Sequence, residues 1–439
     1  MELDGLDNGY YELTVYDTDS GSRVQLAKTS LSILEDCEFA SSDKSYFGVN
    51  MHMHRNNEVG WKTELIKNAY AIGAMNIRDG KEWPDVEQTK GSYNFSFANV
   101  KSFMTEKGMD YLYQAGFTNK YYDDNMSPYT NDGRQGYANY IKAAYETYKN
   151  SFIKNVDVYN EWFAQGGRNG SPAGGTPEYF YELIKTTYET IKDSKYPDRK
   201  LFVNLGSEDF NNSLYDLGVC NYMDVASVHF YPVHFDKSYP SDLPENGTAE
   251  HVTDYRAELD KHSPDKHIPI WVTETGYSTT IRENGVTEST QGKYLPRTYL
   301  EYISHGAEKV YWYDLLDDGV VDYADRGATH EYHFGIMRAV GNSMGGYTPK
   351  PAYVAFGVMT RALNGLEFKS VTKDNGYYDY VFSDGERTVH AMYALTPVAA
   401  EFETDKAVTV TDLMGRKKTV SPANGKIRLD LTDEIIYVG

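Results

Sequence analysis

Two glutamates in this chain stand where reactive groups are expected. Glu161 closes the apolar run VDVYNE, and Glu274 closes IPIWVTE. A carboxylate at the end of an apolar strand is costly to desolvate unless it is paired or used. Two carboxyl groups that flank one glycosidic bond can break it: one protonates the leaving oxygen and the other attacks the anomeric carbon. Polar and aromatic residues end the other apolar runs: Arg78 in MNIRD, His229 and Tyr231 in VASVHFY, and Trp312, Tyr313 and Asp314 in KVYWYD.

These residues need elements to bring them together. Eight short apolar segments read as buried strands: 46–50, 75–79, 110–116, 156–160, 201–206, 225–231, 268–274 and 309–314. Between them lie stretches with apolar residues at helical spacing, such as Phe180, Leu183, Ile184, Thr187, Tyr188 and Ile191. Strands that alternate with helices pair in parallel through right-handed crossovers. Eight such units predict an α/β fold, a (β/α)8 TIM barrel over 41–362, with its active site at the C-terminal strand ends. A doubly wound sheet is the rival, but no GxGxxG turn follows the first strand. The last helix is expected from Pro349-Lys350-Pro351, with proline in its first turn. From 363 to 439 the period changes to two, which predicts a β-sandwich. The N-terminal segment 1–40 reads as a β-hairpin that pairs with this tail, and as a fragment of a longer multidomain chain. It has no basic or apolar leader.

Composition narrows the chemistry. The 439 residues carry a formal net charge of −21, which argues against nucleic acid and anionic membrane as partners. Two cysteines, Cys37 and Cys220, exclude a disulfide framework and read as free thiols. Aromatic residues make up 14% of the chain, with 40 tyrosines among them. Rings with a polar edge suit a carbohydrate cleft. The mouth set is expected to be Tyr231, Tyr277, Tyr313, Trp162 and Trp312.

The motifs VYNEW and WVTETGYS resemble the clan A glycoside hydrolases, and their order and flanking sequence are most similar to family 39 and its neighbours. NEW stands where the clan more often has NEP. The resemblance spans about 46–362 and implies a retaining hydrolase of β-glycosides in a polysaccharide or oligosaccharide, with no cofactor and no metal. It implies Glu161 as acid/base and Glu274 as nucleophile. Arg78 and Tyr231 would steady Glu274, and Asn160 would hold the sugar 2-hydroxyl. Trp312 would form the apolar floor, with His229, His54 and Trp162 lining the subsite. A polymer substrate would place the protein outside the cell or on its surface.

Two other readings compete. A catalytically silent carbohydrate-binding barrel would share the fold. A metal-dependent barrel of the amidohydrolase kind would use His52 and His54, but strand five, LFVNLG, lacks the histidine that chemistry wants. The Gly-rich stretch 166–177 and the acidic stretch 314–325 read as loops over the cleft; the first lacks the Lys and Ser/Thr of a phosphate loop.

Overall fold

The computed structural model describes residues 5–17, 23–53, 59–95, 98–147, 152–166, 170–172, 174–192, 198–232, 240–319 and 330–439. A hairpin comes first, β1 (Gly9–Asp17) and β2 (Val24–Ile33). Eight parallel strands follow: β3 (Phe47–Asn50), β4 (Asn76–Asp79), β5 (Asp110–Ala115), β6 (Ile153–Val158), β7 (Lys200–Leu205), β8 (Val225–His229), β9 (Ile270–Thr275) and β10 (Lys309–Trp312). They close into a barrel in chain order, with β10 beside β3. Nine α-helices lie among the described residues: α1 (Val59–Ala71), α2 (Trp83–Val86), α3 (Ala98–Lys107), α4 (Asn131–Thr147), α5 (Pro177–Lys192), α6 (Glu208–Asp216), α7 (Glu250–His262), α8 (Glu288–Ser304) and α9 (Pro351–Ala362). All eight expected strands and the proline-led final helix fall on the apolar runs that predicted them.

Alternation along the strands stacks the barrel interior in layers. At the floor Leu112, Phe202, Val225, Trp271 and Tyr311 pack together. Gly48 makes room for the Tyr311 ring, since a Cβ there would sit 2.6 Å from it. Two residues further along their strands come Asn50, Asn204, Ser227 and Thr273, all buried. Arg78 and Asp157 join that polar layer. The strand ends then stand on a hydrogen-bonded base rather than on an oily one.

The tail adds eight antiparallel strands: β11 (Glu367–Thr372), β12 (Tyr378–Ser383), β13 (Thr388–Tyr393), β14 (Val398–Glu403), β15 (Val408–Thr411), β16 (Lys417–Val420), β17 (Lys426–Leu431) and β18 (Ile436–Val438). Six form one sheet in the order β11-β12-β13-β18-β15-β16, and β14 pairs with β17. Period two splits their side chains. Met392, Val410 and Val438 face Ala400, Ile427, Leu429 and Leu431 in a sandwich core. Tyr380, Phe382, Tyr393 and Tyr437 turn the other way, into the core of the barrel.

The N-terminal hairpin differs from expectation. β1 pairs with β2 alone, and the tail finds its second sheet within itself through β14 and β17. The hairpin is tied to the barrel side instead: Ser30 Oγ donates to Pro349 O at 2.7 Å, and Arg338 reaches Ser30 Oγ at 2.7 Å and the Tyr10 hydroxyl at 3.1 Å. Cys37 and Cys220 are free thiols. Among the described residues no helix is long and apolar enough to cross a membrane.

Candidate active site

Glu161 and Glu274 meet across the barrel mouth. One oxygen of each and a His229 ring nitrogen lie within 4.8 Å of one another. His229 Nδ1 is 2.8 Å from Glu161 Oε1 and 3.6 Å from Glu274 Oε2. Arg78 is the hub below them. Its Nη1 donates to Glu274 Oε1 at 2.6 Å and to Asn50 Oδ1 at 3.0 Å. Its Nε donates to Asp157 Oδ2 at 3.0 Å, and its Nη2 to Asn160 Oδ1 at 2.7 Å. The Tyr231 hydroxyl donates to Glu274 Oε2 at 2.8 Å.

The charges sort themselves by environment. Burial alone would raise the Glu274 pKa, but His229 and Arg78 nearby, with the Tyr231 and Arg78 hydrogen bonds, hold it below the ordinary carboxylate value. Burial works against the Arg78 cation too, yet Asp157 and Glu274 outweigh it and raise its pKa. Burial, with Glu274 beside it, pushes Tyr231 well above the usual phenol value, so its hydroxyl stays a donor. Glu274 is thus kept ionised at neutral pH. The Glu161 side chain is 26% exposed against 10% for Glu274, so the two carboxyls are not equivalent.

Local backbone features aim both groups. Tyr159 and Glu161 each adopt φ of 49°, a left-handed conformation that an aromatic residue rarely takes. It is held from several sides. Tyr159 N donates to the Tyr137 hydroxyl at 2.9 Å, the Tyr159 hydroxyl bonds Ser127 Oγ, and Glu161 N donates to Asn204 Oδ1 at 3.2 Å. On β9 the register slips against both neighbours: Val228 pairs with Val272 but His229 with Glu274, and Val310 pairs with Val272 but Trp312 with Thr275. A bulge of this kind re-aims side chains. It lets two consecutive residues face inward, with Thr273 bonding Ser227 Oγ at 2.6 Å while Glu274 reaches Arg78.

The structure brings together Glu161, Glu274, Arg78, Asn160, His229 and Tyr231. It corrects three expected mouth residues. Trp312 is fully buried on the helix side of β10, its Nε1 donating to Phe334 O at 3.3 Å. Alternation explains this: Tyr311 faces the floor, so Tyr313, and not Trp312, returns to the interior. Tyr313 lies against Tyr231 and Phe334, with ring centroids 6.3 and 5.5 Å apart. Trp162 is also buried; it stacks on Phe180 at 5.5 Å and donates to Thr176 O at 2.9 Å, so it anchors a loop rather than lining a subsite. Tyr277 is buried and donates to Asp242 O. His54 lies outside the described residues, as do 167–169, 173 and 320–325 of the two loops. His52 sits 2.9 Å from Asp318 Oδ1 and 3.5 Å from Asp314 Oδ2, and these three offer atoms at metal-ligand spacing, as do Glu161, His229 and Glu274.

Sequence reasoning passed over Asp157. Asp157 was visible as a charge between two valines inside an apolar strand, a position that demands a buried cation.

No family model matches the chain, and no curated protein matches it. Solved structures do. A family 39 glycoside hydrolase from the gut symbiont Bacteroides cellulosilyticus WH2 superposes at a TM-score of 0.77, over 98% of this chain and 88% of that one, with 22% identity. The GH39 enzyme of Xanthomonas axonopodis pv. citri gives 0.60 over 91% and 95%, with 13% identity. The GH51 alpha-L-arabinofuranosidase of Thermotoga petrophila RKU-1 gives 0.60 over 92% and 97%, with 12% identity. The fold is that of the clan A glycoside hydrolases: a closed eight-stranded parallel barrel with an accessory β-sandwich.

Proposed function

We propose that this protein is a retaining glycoside hydrolase acting on β-linked polysaccharide or oligosaccharide. The observation that carries the reading is the pair Glu161 and Glu274, whose nearest oxygens lie within 4.8 Å, with Glu274 held ionised by Arg78 and Tyr231. Retaining pairs stand roughly 5–5.5 Å apart, whereas inverting pairs stand ~6.5–9.5 Å apart to admit a water. In this reading Glu274 attacks the anomeric carbon as Glu161 protonates the leaving oxygen. Glu161 then deprotonates the water that releases the sugar. Asn160 gives its oxygen to Arg78, which leaves its amide nitrogen for the sugar 2-hydroxyl. Tyr313 takes the place foreseen for Trp312 beside the ring. No metal enters the scheme, and a polymer substrate would place the enzyme outside the cell.

A panel of activated aryl glycosides tests it. We expect a burst of aryl alcohol, a product of retained configuration by proton NMR, and loss of roughly 10³-fold or more in kcat for Glu274→Ala. Full activity in both Glu274→Ala and Glu161→Ala, or an inverted product, would end this reading.

A further inference from the structure

A cavity opens beside His229, the ring that meets Glu161. It has a volume of about 650 Å³ and runs from His229 outward between α6 and α7. That is within the ~300–1,000 Å³ of ordinary small-molecule sites. His229, whose ring holds Glu161, forms its inner end. Phe163, two residues beyond Glu161, forms one edge and leaves 37% of its surface exposed. Phe230 and Tyr255 add aromatic wall, packed edge to face at 5.1 Å. The charge along this groove has one sign. Glu208, Asp254 and Glu258 line it, and no lysine or arginine is among the lining residues. Asp254 has His251 at 3.8 Å, and Glu258 has Lys261 at 3.0 Å, while Glu208 opens α6.

We propose that this groove receives the leaving-group end of the substrate, and that the sugars it takes carry no carboxylate or sulfate. The first half rests on the glycosidase reading. The acid must stand on the side of the departing oxygen, and Glu161 lies 2.8 Å from the ring nitrogen of His229, the residue at this groove's inner end. The second half rests on charge. Acidic sugars entering here would meet three carboxylates and no lysine or arginine among the lining residues, whereas aromatic walls stack on neutral or amine-bearing rings.

Titration calorimetry at low ionic strength tests it, using the full chain with Glu274→Gln so that turnover does not interfere. The probes are the β-1,4 pentamers of glucose, glucosamine and mannuronate. We expect the glucose and glucosamine pentamers to bind roughly ten-fold or more tightly than the mannuronate pentamer, with the gap shrinking in salt. Glu208→Lys with Asp254→Lys, both at exposed positions, should erase or invert that order, while Glu208→Gln with Asp254→Asn should only narrow it. Equal or tighter mannuronate binding, failure of all three pentamers to bind, or no response to charge reversal would overturn the proposal. Because binding is read without turnover, the charge preference can stand if the aryl glycoside assay fails, and fall if that assay succeeds.

Discussion

At the scale of single residues the site is a charge balance with Arg78 at its centre. One guanidinium serves Asp157, Glu274, Asn50 and Asn160. Removing one partner of such a buried set leaves uncompensated charge, at about 3–5 kcal/mol. We therefore expect Arg78→Ala to lower stability by about that much in denaturant titration. Glu274 adds a pH signature. Its folded pKa lies below its unfolded value, so its ionised form contributes stability above the ordinary carboxylate range, and that contribution is lost as pH falls through the lowered value. Without Arg78 the acid limb of both the stability curve and the kcat/KM profile should move to higher pH. The pair Trp312 and Tyr313 makes a second prediction. Tyr313→Ala should cut kcat/KM about 10–100-fold with little change in Tm, whereas Trp312→Ala should cost about 3–5 kcal/mol of stability. The reverse outcome would show that the ring at the mouth is the tryptophan after all. The glutamates, Arg78 and Tyr231 were legible because strand ends in a barrel point at one place. Trp312 was misread because residue type was weighed above alternation: the sequence favours a tryptophan under a sugar, but geometry allows only every second residue to face it.

At the scale of elements the eight strands and their helices were legible, because buried parallel strands write themselves as short apolar runs. The bulge on β9 was not. An extra residue leaves no mark in composition, and only pairing on both sides reveals it. The left-handed turn through Tyr159 and Glu161 was hidden for the same reason, since its support comes from Tyr137, Ser127 and Asn204 on other elements. Where β9 ends, its chain comes close to that of β10: a Cβ on Gly276 would stand 2.3 Å from Tyr313 O. Backbone cannot yield as a side-chain tip can. Gly276→Ala is expected to lower Tm and, by displacing Tyr313, to reduce kcat as well; thermal melts and initial rates on the same preparation would show both, and an unchanged Tm would contradict the packing described.

At the scale of the whole molecule the barrel and the sandwich were separately legible, but their joint was not. The sequence suggested that the hairpin would complete the tail, since neither piece looked sufficient alone. Instead α8 makes the joint with one stripe of residues. Lys293 pairs with Asp433 at 3.1 Å; Arg297, held by Glu245 of the barrel through two bonds of 2.6 Å, lies over the Tyr393 ring at 5.0 Å; and Glu301 meets Lys373 at 3.0 Å and the Tyr380 hydroxyl. Arg297 and Glu245 are almost wholly buried, so Arg297→Ala should lower stability by about 3–5 kcal/mol, and calorimetry should show the sandwich and barrel beginning to melt apart. The opposite face of α8 holds the barrel itself: the Tyr299 hydroxyl bonds Gly48 O and Trp312 N, and the Tyr302 hydroxyl bonds Phe230 O. One helix therefore grips the sandwich with one side and the strands beneath the reactive pair with the other. The tail is not a cassette that could be cut off or exchanged at residue 363; its graft onto a foreign barrel would have to bring α8 with it.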